Sequence, residues 1–334
     1  MDIEFYSPSP PGSDGEFTAK SLCELLNKFH PWLRASYQII PVPDSVNLID
    51  KLDPAKKKLS LLFCPSTDYL MARMGTGPAK HKYEREHPDL MFAGTVSKEG
   101  RTFITPDPEL ARDPRKLAGK TVGLVYAMEA DHWGSPMVLS LSMLRDAWGI
   151  YDEVKKVQVG MVDLSSAFET GKADAVFCGV VSDYNGKFAI PEPLSALLKQ
   201  KQYYWVPLSQ TDVEKINATN DYRIRLISVP GGSLTMAGPQ IKAVNPPEDV
   251  TMADFCVALT VWRDTEDEVV YELLKFIVDN AAKFAEANVH ISPDLETLPR
   301  YPGMTRDLVH PGALRYYQEQ GIETACYTKP LSLG

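Results

Sequence analysis

No apolar run in this chain of 334 residues approaches the length of a membrane span; the longest, such as residues 59–64, are about the length of one strand. Membrane insertion is therefore not expected. An excess of positive charge is also lacking. Lys and Arg number 35 against 44 Asp and Glu, a formal net charge of −9, which repels nucleic acid and anionic surfaces unless a local basic stripe is present. The densest basic cluster, Lys56-Lys57-Lys58, reads as a solvated helix end. Cysteine is sparse. Cys23, Cys64, Cys178, Cys256 and Cys326 are odd in number and widely spaced, which excludes a zinc pattern and a disulfide-stapled small domain and leaves most of them as buried small hydrophobes. HExxH and a nucleophile elbow are missing, and Gly75-Thr76-Gly77 lacks the strand-then-helix setting of a nucleotide loop. His290 and His310 stand too far apart in sequence to argue for a metal, so neither metal nor cofactor is expected. The opening Met1-Asp2-Ile3-Glu4-Phe5 has no basic start, apolar leader core or cleavage site. Two readings stand: a removed leader and an extracytoplasmic protein, or a native start at Met1 and a cytoplasmic one.

What is present is a globular composition, 44% hydrophobic and 24% charged, long enough for two domains. Strands and helices alternate. Residues 3–7 form a strand, 11–15 a loop, and 17–29 a helix whose apolar positions Phe17, Leu22, Leu25, Leu26 and Phe29 repeat at helical spacing. Strand 37–42 leads into helix 45–52, and strand 59–64 into a helix near Thr67, the rhythm of a mostly parallel α/β sheet. Further strands are predicted over 90–96 and 102–105. A polar, proline-marked stretch 107–115 then precedes a fresh buried strand in 117–125, followed by helix 136–148, strand 154–159, helix 163–169, strand 173–179 and helix 193–201. Pro246-Pro247 marks a second crossing, before a strand-like 254–262 and a long amphipathic helix 269–287. The chain divides into 1–107 as the N-terminal part of a first lobe, 108–247 as a second lobe, and 248–334 as the return to the first.

The string His310-Pro311-Gly312-Ala313-Leu314-Arg315-Tyr316-Tyr317-Gln318-Glu319-Gln320-Gly321 resembles the C-terminal signature of the TAXI family, the substrate-binding receptors of TRAP-type transporters. Residues 117–125 are similar to that family's opening of the second lobe, and 168–177 to its stretch around an Asp-Ala pair, here Asp174-Ala175. The chain departs from the family at Gly15-Glu16-Phe17-Thr18 and at Gly134-Ser135-Pro136. The resemblance implies a type II periplasmic-binding-protein fold, two α/β lobes with a discontinuous first lobe. It also implies a small organic anion as ligand, a TRAP transporter membrane component as partner, a monomer, and an extracytoplasmic location.

In open parallel sheets ligands sit beyond the carboxyl ends of strands, where helix N-termini offer free N–H groups. The first candidate set is Ser13, Gly15, Phe17 and Thr18, with an exposed turn and helix cap as the rival reading. Ser66 and Thr67 follow the third strand, either facing a carboxylate or capping the next helix. In the second lobe Tyr126, His132, Trp133, Gly134 and Ser135 combine aromatic walls with a helix start, although His132 also reads as an exposed loop residue. Cys178, Gly179 and Ser182 face the same expected cleft, as do Gly232 and Ser233 of a glycine-rich loop. An enzyme on the same scaffold would use His132, Glu129, Cys178 and Tyr184. No arginine is pinned as the carboxylate partner; Arg73, Arg101 and Arg145 are all candidates for it, with a surface charge as the rival reading of each.

Overall fold

Ile3, Phe5 and Tyr6 are buried along the first strand, and the six residues from Ser60 to Pro65 are all buried on another. Strands apolar on both faces require helices above and below them, the condition that parallel sheets meet. The computed structural model describes residues 1–8, 14–40, 42–78, 81–125, 127–129, 132–133, 135–160, 163–182, 188–190, 194, 197–198, 202–232, 235–236, 248–286, 295, 297–301 and 303–322. Strands β1 (Asp2–Ser7), β2 (Arg34–Ile39) and β3 (Ser60–Pro65) run parallel, with β1 in the middle. The helix between β1 and β2 spans Asp14–Phe29, so Gly15 is already inside it and not in the loop expected from the sequence.

The sequence predicts two strands in 90–105; the structure has one, β4 (Leu90–Thr105). The polar interruption Ser97-Lys98-Glu99-Gly100-Arg101 stays extended because Arg101 bonds Glu99. Gly100 in turn sits where a side chain would press on Met252 and Val180. Next come β5 (Thr121–Leu124), β6 (Ala127–Glu129), β7 (His132–Trp133), β8 (Lys155–Gln158), β9 (Ala175–Ser182), β10 (Phe188–Ile190) and β11 (Tyr204–Trp205). The last three are β12 (Leu226–Val229), β13 (Thr235–Met236) and β14 (Val250–Trp262). Among the described residues twelve strands form one sheet whose main path is β13-β10-β9-β4-β14-β3-β1-β2, and β6 and β7 form a separate hairpin. β5 lies parallel between β8 and β9.

β4 and β14 belong to both halves. They pair antiparallel from Leu90↔Trp262 to Arg101↔Ala253. β3 leaves them at Pro65, opposite Val257, and β9 joins only where Val181 meets Glu99. At Lys98 and Cys256, among the described residues, the sheet is therefore two strands wide, and the register slips beside this neck, between Val257 and Ala258. This is a two-lobed α/β architecture.

The helix predicted over 269–287 is two helices, Asp267–Asp279 and Ala281–Glu286, because Asn280 turns out of the first and its amide donates to Phe276 O at 2.9 Å. The C-terminal string proves to be scaffold. His310 caps the helix Pro311–Glu319, its Nδ1 accepting from the Gly312 N–H at 3.2 Å while Nε2 meets Thr265 O at 3.1 Å. A Cβ on Gly312 would collide with the Asp267 carbonyl, and the Tyr317 hydroxyl donates to Ala93 O on β4 at 2.6 Å.

Candidate functional site

Ser97, Glu99 and Arg101 alternate along β4 and so share one face of the neck. The Arg101 Nε donates to Glu99 Oε2 at 2.8 Å, Nη2 bonds the same oxygen, and the Ser97 hydroxyl lies 3.4 Å from Oε1. The guanidinium stands 5.6 Å over the ring of Phe255, which pairs with Glu99 across the ladder. Arg101 is 6% exposed and Glu99 8%, values that correct the reading of Arg101 as a surface charge. The arginine stem passes over Gly179, where any Cβ would collide with its Cδ. Removing two charges from water is expensive, and such a pair adds little stability over apolar packing. Of the other arginines considered, Arg73 bonds Leu90 O, and Arg145 is half exposed and paired with Asp146.

Beside the neck lies the turn after β3. The Ser66 N–H donates to Cys256 O at 2.8 Å, which ties the turn to β14 one residue from Phe255. Ser66, Thr67 and Asp68 are fully buried. The Thr67 hydroxyl donates to Asp68 Oδ2 at 2.9 Å, the Tyr83 hydroxyl to Oδ1 at 2.6 Å, and His81 Nε2 bonds Oδ1 as well. Burial pushes the Asp68 carboxyl up, but the adjacent His81 charge and the bonds around it outweigh burial and hold it below its ordinary value. Ser135, the first residue of the helix Ser135–Ser142, sits near enough to Asp68 to favour its charged form, yet its Oγ makes no hydrogen bond of ordinary geometry. Ser66 Oγ is likewise buried without a partner. Two buried hydroxyls, one on the turn after β3 and one at the start of the helix that follows the β6–β7 hairpin, thus lie close to Asp68.

The remaining sequence candidates separate. Helix capping does not occupy Ser66 or Thr67, since Asp68 holds the cap position of Tyr69–Met74; the Thr67 hydroxyl is spent on Asp68. Phe17 is exposed and Thr18 buried on the first helix. Gly179 faces Arg101, but Cys178 pairs with Thr102 on the opposite face, in a core cluster with Val176 and Val180. Burial pushes its thiol up to about 12, so the expectation of Cys178 as a cleft contact or nucleophile is overturned. Gly232 occupies a turn at φ 67, a conformation that by itself explains a glycine. Ser13, Tyr126, Gly134, Tyr184 and Ser233 lie outside the described residues, as do the side chains of Gly15, Glu129, His132, Trp133 and Ser182. Glu99, Asp68, His81 and Tyr83 were missed. The alternation Ser97-x-Glu99-x-Arg101 was the available signal for the first, whereas nothing in the sequence joins Asp68 to His81 and Tyr83.

Comparison with known proteins adds the lineage. No curated protein matches the chain. Among solved structures, R. palustris Rpa4515 with adipate aligns at a TM-score of 0.51 with 10% identity, over 87% of this chain and 88% of that one. A TctC solute binding protein from Polaromonas aligns at 0.46 with 12% identity, over 87% and 89%. The periplasmic aliphatic sulphonate binding protein SsuA from Escherichia coli aligns at 0.43 with 13% identity, over 97% and 80%. Identities this low speak to fold alone. A model of the NMT1-like family matches residues 140–321, more than half of the sequence, and the chain belongs to that family.

Proposed function

We propose that this protein is a solute-binding receptor that closes its two lobes on a small organic anion, a carboxylate, and delivers it as a monomer to a membrane transporter outside the cytoplasm. The observation that carries the reading is Arg101, a guanidinium buried at the two-strand neck, with the buried hydroxyls of Ser66 and Ser135 on the turn and the helix next to Asp68. A carboxylate there would accept from the guanidinium and both hydroxyls, with Phe255 backing the arginine and water excluded. The register slip between Val257 and Ala258 gives the two strands a point about which to flex, and we assign closure to it. Tyr126 and Trp133, just ahead of Ser135 in the chain, are assigned to the apolar wall for the ligand's carbon body. The fold shared with a protein solved with adipate supports an organic acid as the ligand class. The TAXI-like C-terminal string supports a TRAP membrane component as the partner.

The test is a thermal-shift screen over mono- and dicarboxylates, amino acids and sulfonates, because a ligand that binds only the folded state raises the melting temperature. A rise with a carboxylate is the expected result. A flat response across all three classes contradicts the proposal.

A further inference from the structure

Arg225 is the last residue before β12, and it is held to β14 twice. Its carbonyl accepts from the Asp254 N–H at 2.8 Å, and its Nε bonds Asp254 Oδ2. β12 pairs with β14 from Leu226↔Ala253 toward Val229↔Val250, whereas β3 stops at Pro65, opposite Val257, and the Ser66 N–H meets Cys256 O. Arg225 and Ser66 thus stand where two strands approach each other along one edge of β14, separated by about 7 Å of strand.

Arg225 is on the other face of the neck from Arg101. Arg101 pairs with Ala253 and Gly100 with Asp254, and neighbouring positions of a strand point to opposite faces. The face of Asp254 carries Met252, Val180 and Ile227, which crowd the place where Gly100 would have a side chain. The sheet itself therefore stands between the two arginines.

The pair is graded in depth. Asp254 is 0% exposed, and the Arg225 side chain is 23% exposed. The carboxylate takes the Nε side of the guanidinium from the interior. Nη1 and Nη2 make no hydrogen bond to any described residue and, unlike Asp254 Oδ1, are not sealed from solvent. Among the described residues the other ionisable group that bears on Arg225 is the Cys256 thiol, which burial keeps protonated. An ion pair at this depth adds little stability over apolar packing; what it supplies is a guanidinium fixed in orientation. An anion at the outer edge lies nearer the cation than the carboxylate behind it, and the coplanar Nη groups match the two oxygens of a carboxylate.

We infer that Arg225, oriented by Asp254, is a second anion-binding point of the neck, taking one carboxylate group on its Nη edge. It goes beyond the site at Arg101 and does not depend on it.

The test uses full-length protein labelled with ¹⁵N-arginine, the Arg225 Nε–Hε signal assigned through Arg225→Lys, and propionate, propionamide and chloride as probes at matched ionic strength. Propionate should shift the Arg225 signal saturably, with propionamide and chloride each binding about tenfold more weakly or less. The shift should survive in Arg101→Met with Glu99→Gln, so that the carboxylate reading of Arg101 stands or falls on its own. Arg225→Gln with Asp254→Asn strands no charge in the interior, and in that folded variant propionate should no longer move the backbone amide of Leu226, which it moves in the wild type. A shift that does not saturate, equal binding of propionamide or chloride, loss of the shift in the Arg101 variant, or a Leu226 response retained without Arg225 would each overturn the inference.

Discussion

Replacing Arg101 by Met removes the guanidinium but keeps most of the apolar stem that crosses Gly179 and Phe255. Glu99, 8% exposed, then loses the guanidinium's charge, with the Ser97 hydroxyl 3.4 Å from its Oε1. Breaking a buried ion pair on one side costs about 3–5 kcal/mol, most of it from the stranded charge and not from the lost bond. The double variant Arg101→Met with Glu99→Gln strands no charge, so it should regain most of that loss. Urea unfolding followed by circular dichroism measures both, with the midpoint moving at an unchanged slope if only stability has altered. The reasoning fails if the single variant loses less than about 1 kcal/mol, the range of an exposed pair, or if the double variant is no more stable than the single one. The double variant is also the tool that separates folding from binding, since it removes the proposed anion receptor from a protein that remains folded.

Gly179→Ala should destabilise by about 1–3 kcal/mol, because the added Cβ strikes both the Arg101 stem and the Gly100 carbonyl; a melting temperature equal to wild type would contradict that packing. Cys178→Ala should leave ligand affinity unchanged, the thiol being on the face away from Arg101, and a clear loss in a binding titration would return it to the site. His30, His87 and His310 each have a pKa held below the ordinary value of 6.5 mainly by burial. The unfolded chain therefore binds protons first, so stability should be constant above about pH 7 and fall as pH drops through 6.5. Replacing His310 by Asn, which can still cap the helix, should flatten part of that fall in unfolding curves measured between pH 7 and 5; an unchanged slope would refute the assignment.

The rhythm of the fold was legible because apolar runs of strand length alternate with helical periodicity. The break at Asn280 was not, since the flanking apolar pattern continues across it and only a side-chain bond to Phe276 O marks the turn. The single long β4 was hidden for a related reason. Polar residues at 97–101 look like a loop until Glu99 and Arg101 are seen to satisfy each other in the interior. Ser66 and Ser135 are candidates because of their positions after a strand and before a helix, which are local features. The cluster of Asp68, His81 and Tyr83 depends on a loop folding back onto a turn, a tertiary event that leaves no local pattern. Cys178 and Gly179 show the limit of residue-level reading in a strand. Adjacent positions point to opposite faces, and sequence alone did not say which face met the neck.

Calorimetric titration of the wild type and of the Arg101→Met, Glu99→Gln double variant, with one carboxylate and its primary amide, tests the central claim most directly. The wild type should bind the carboxylate and discriminate against the amide. The folded double variant should bind the carboxylate about 10- to 150-fold more weakly, the equivalent of one charged hydrogen-bonding partner, and lose the discrimination. Equal carboxylate affinity in the two proteins would contradict the account.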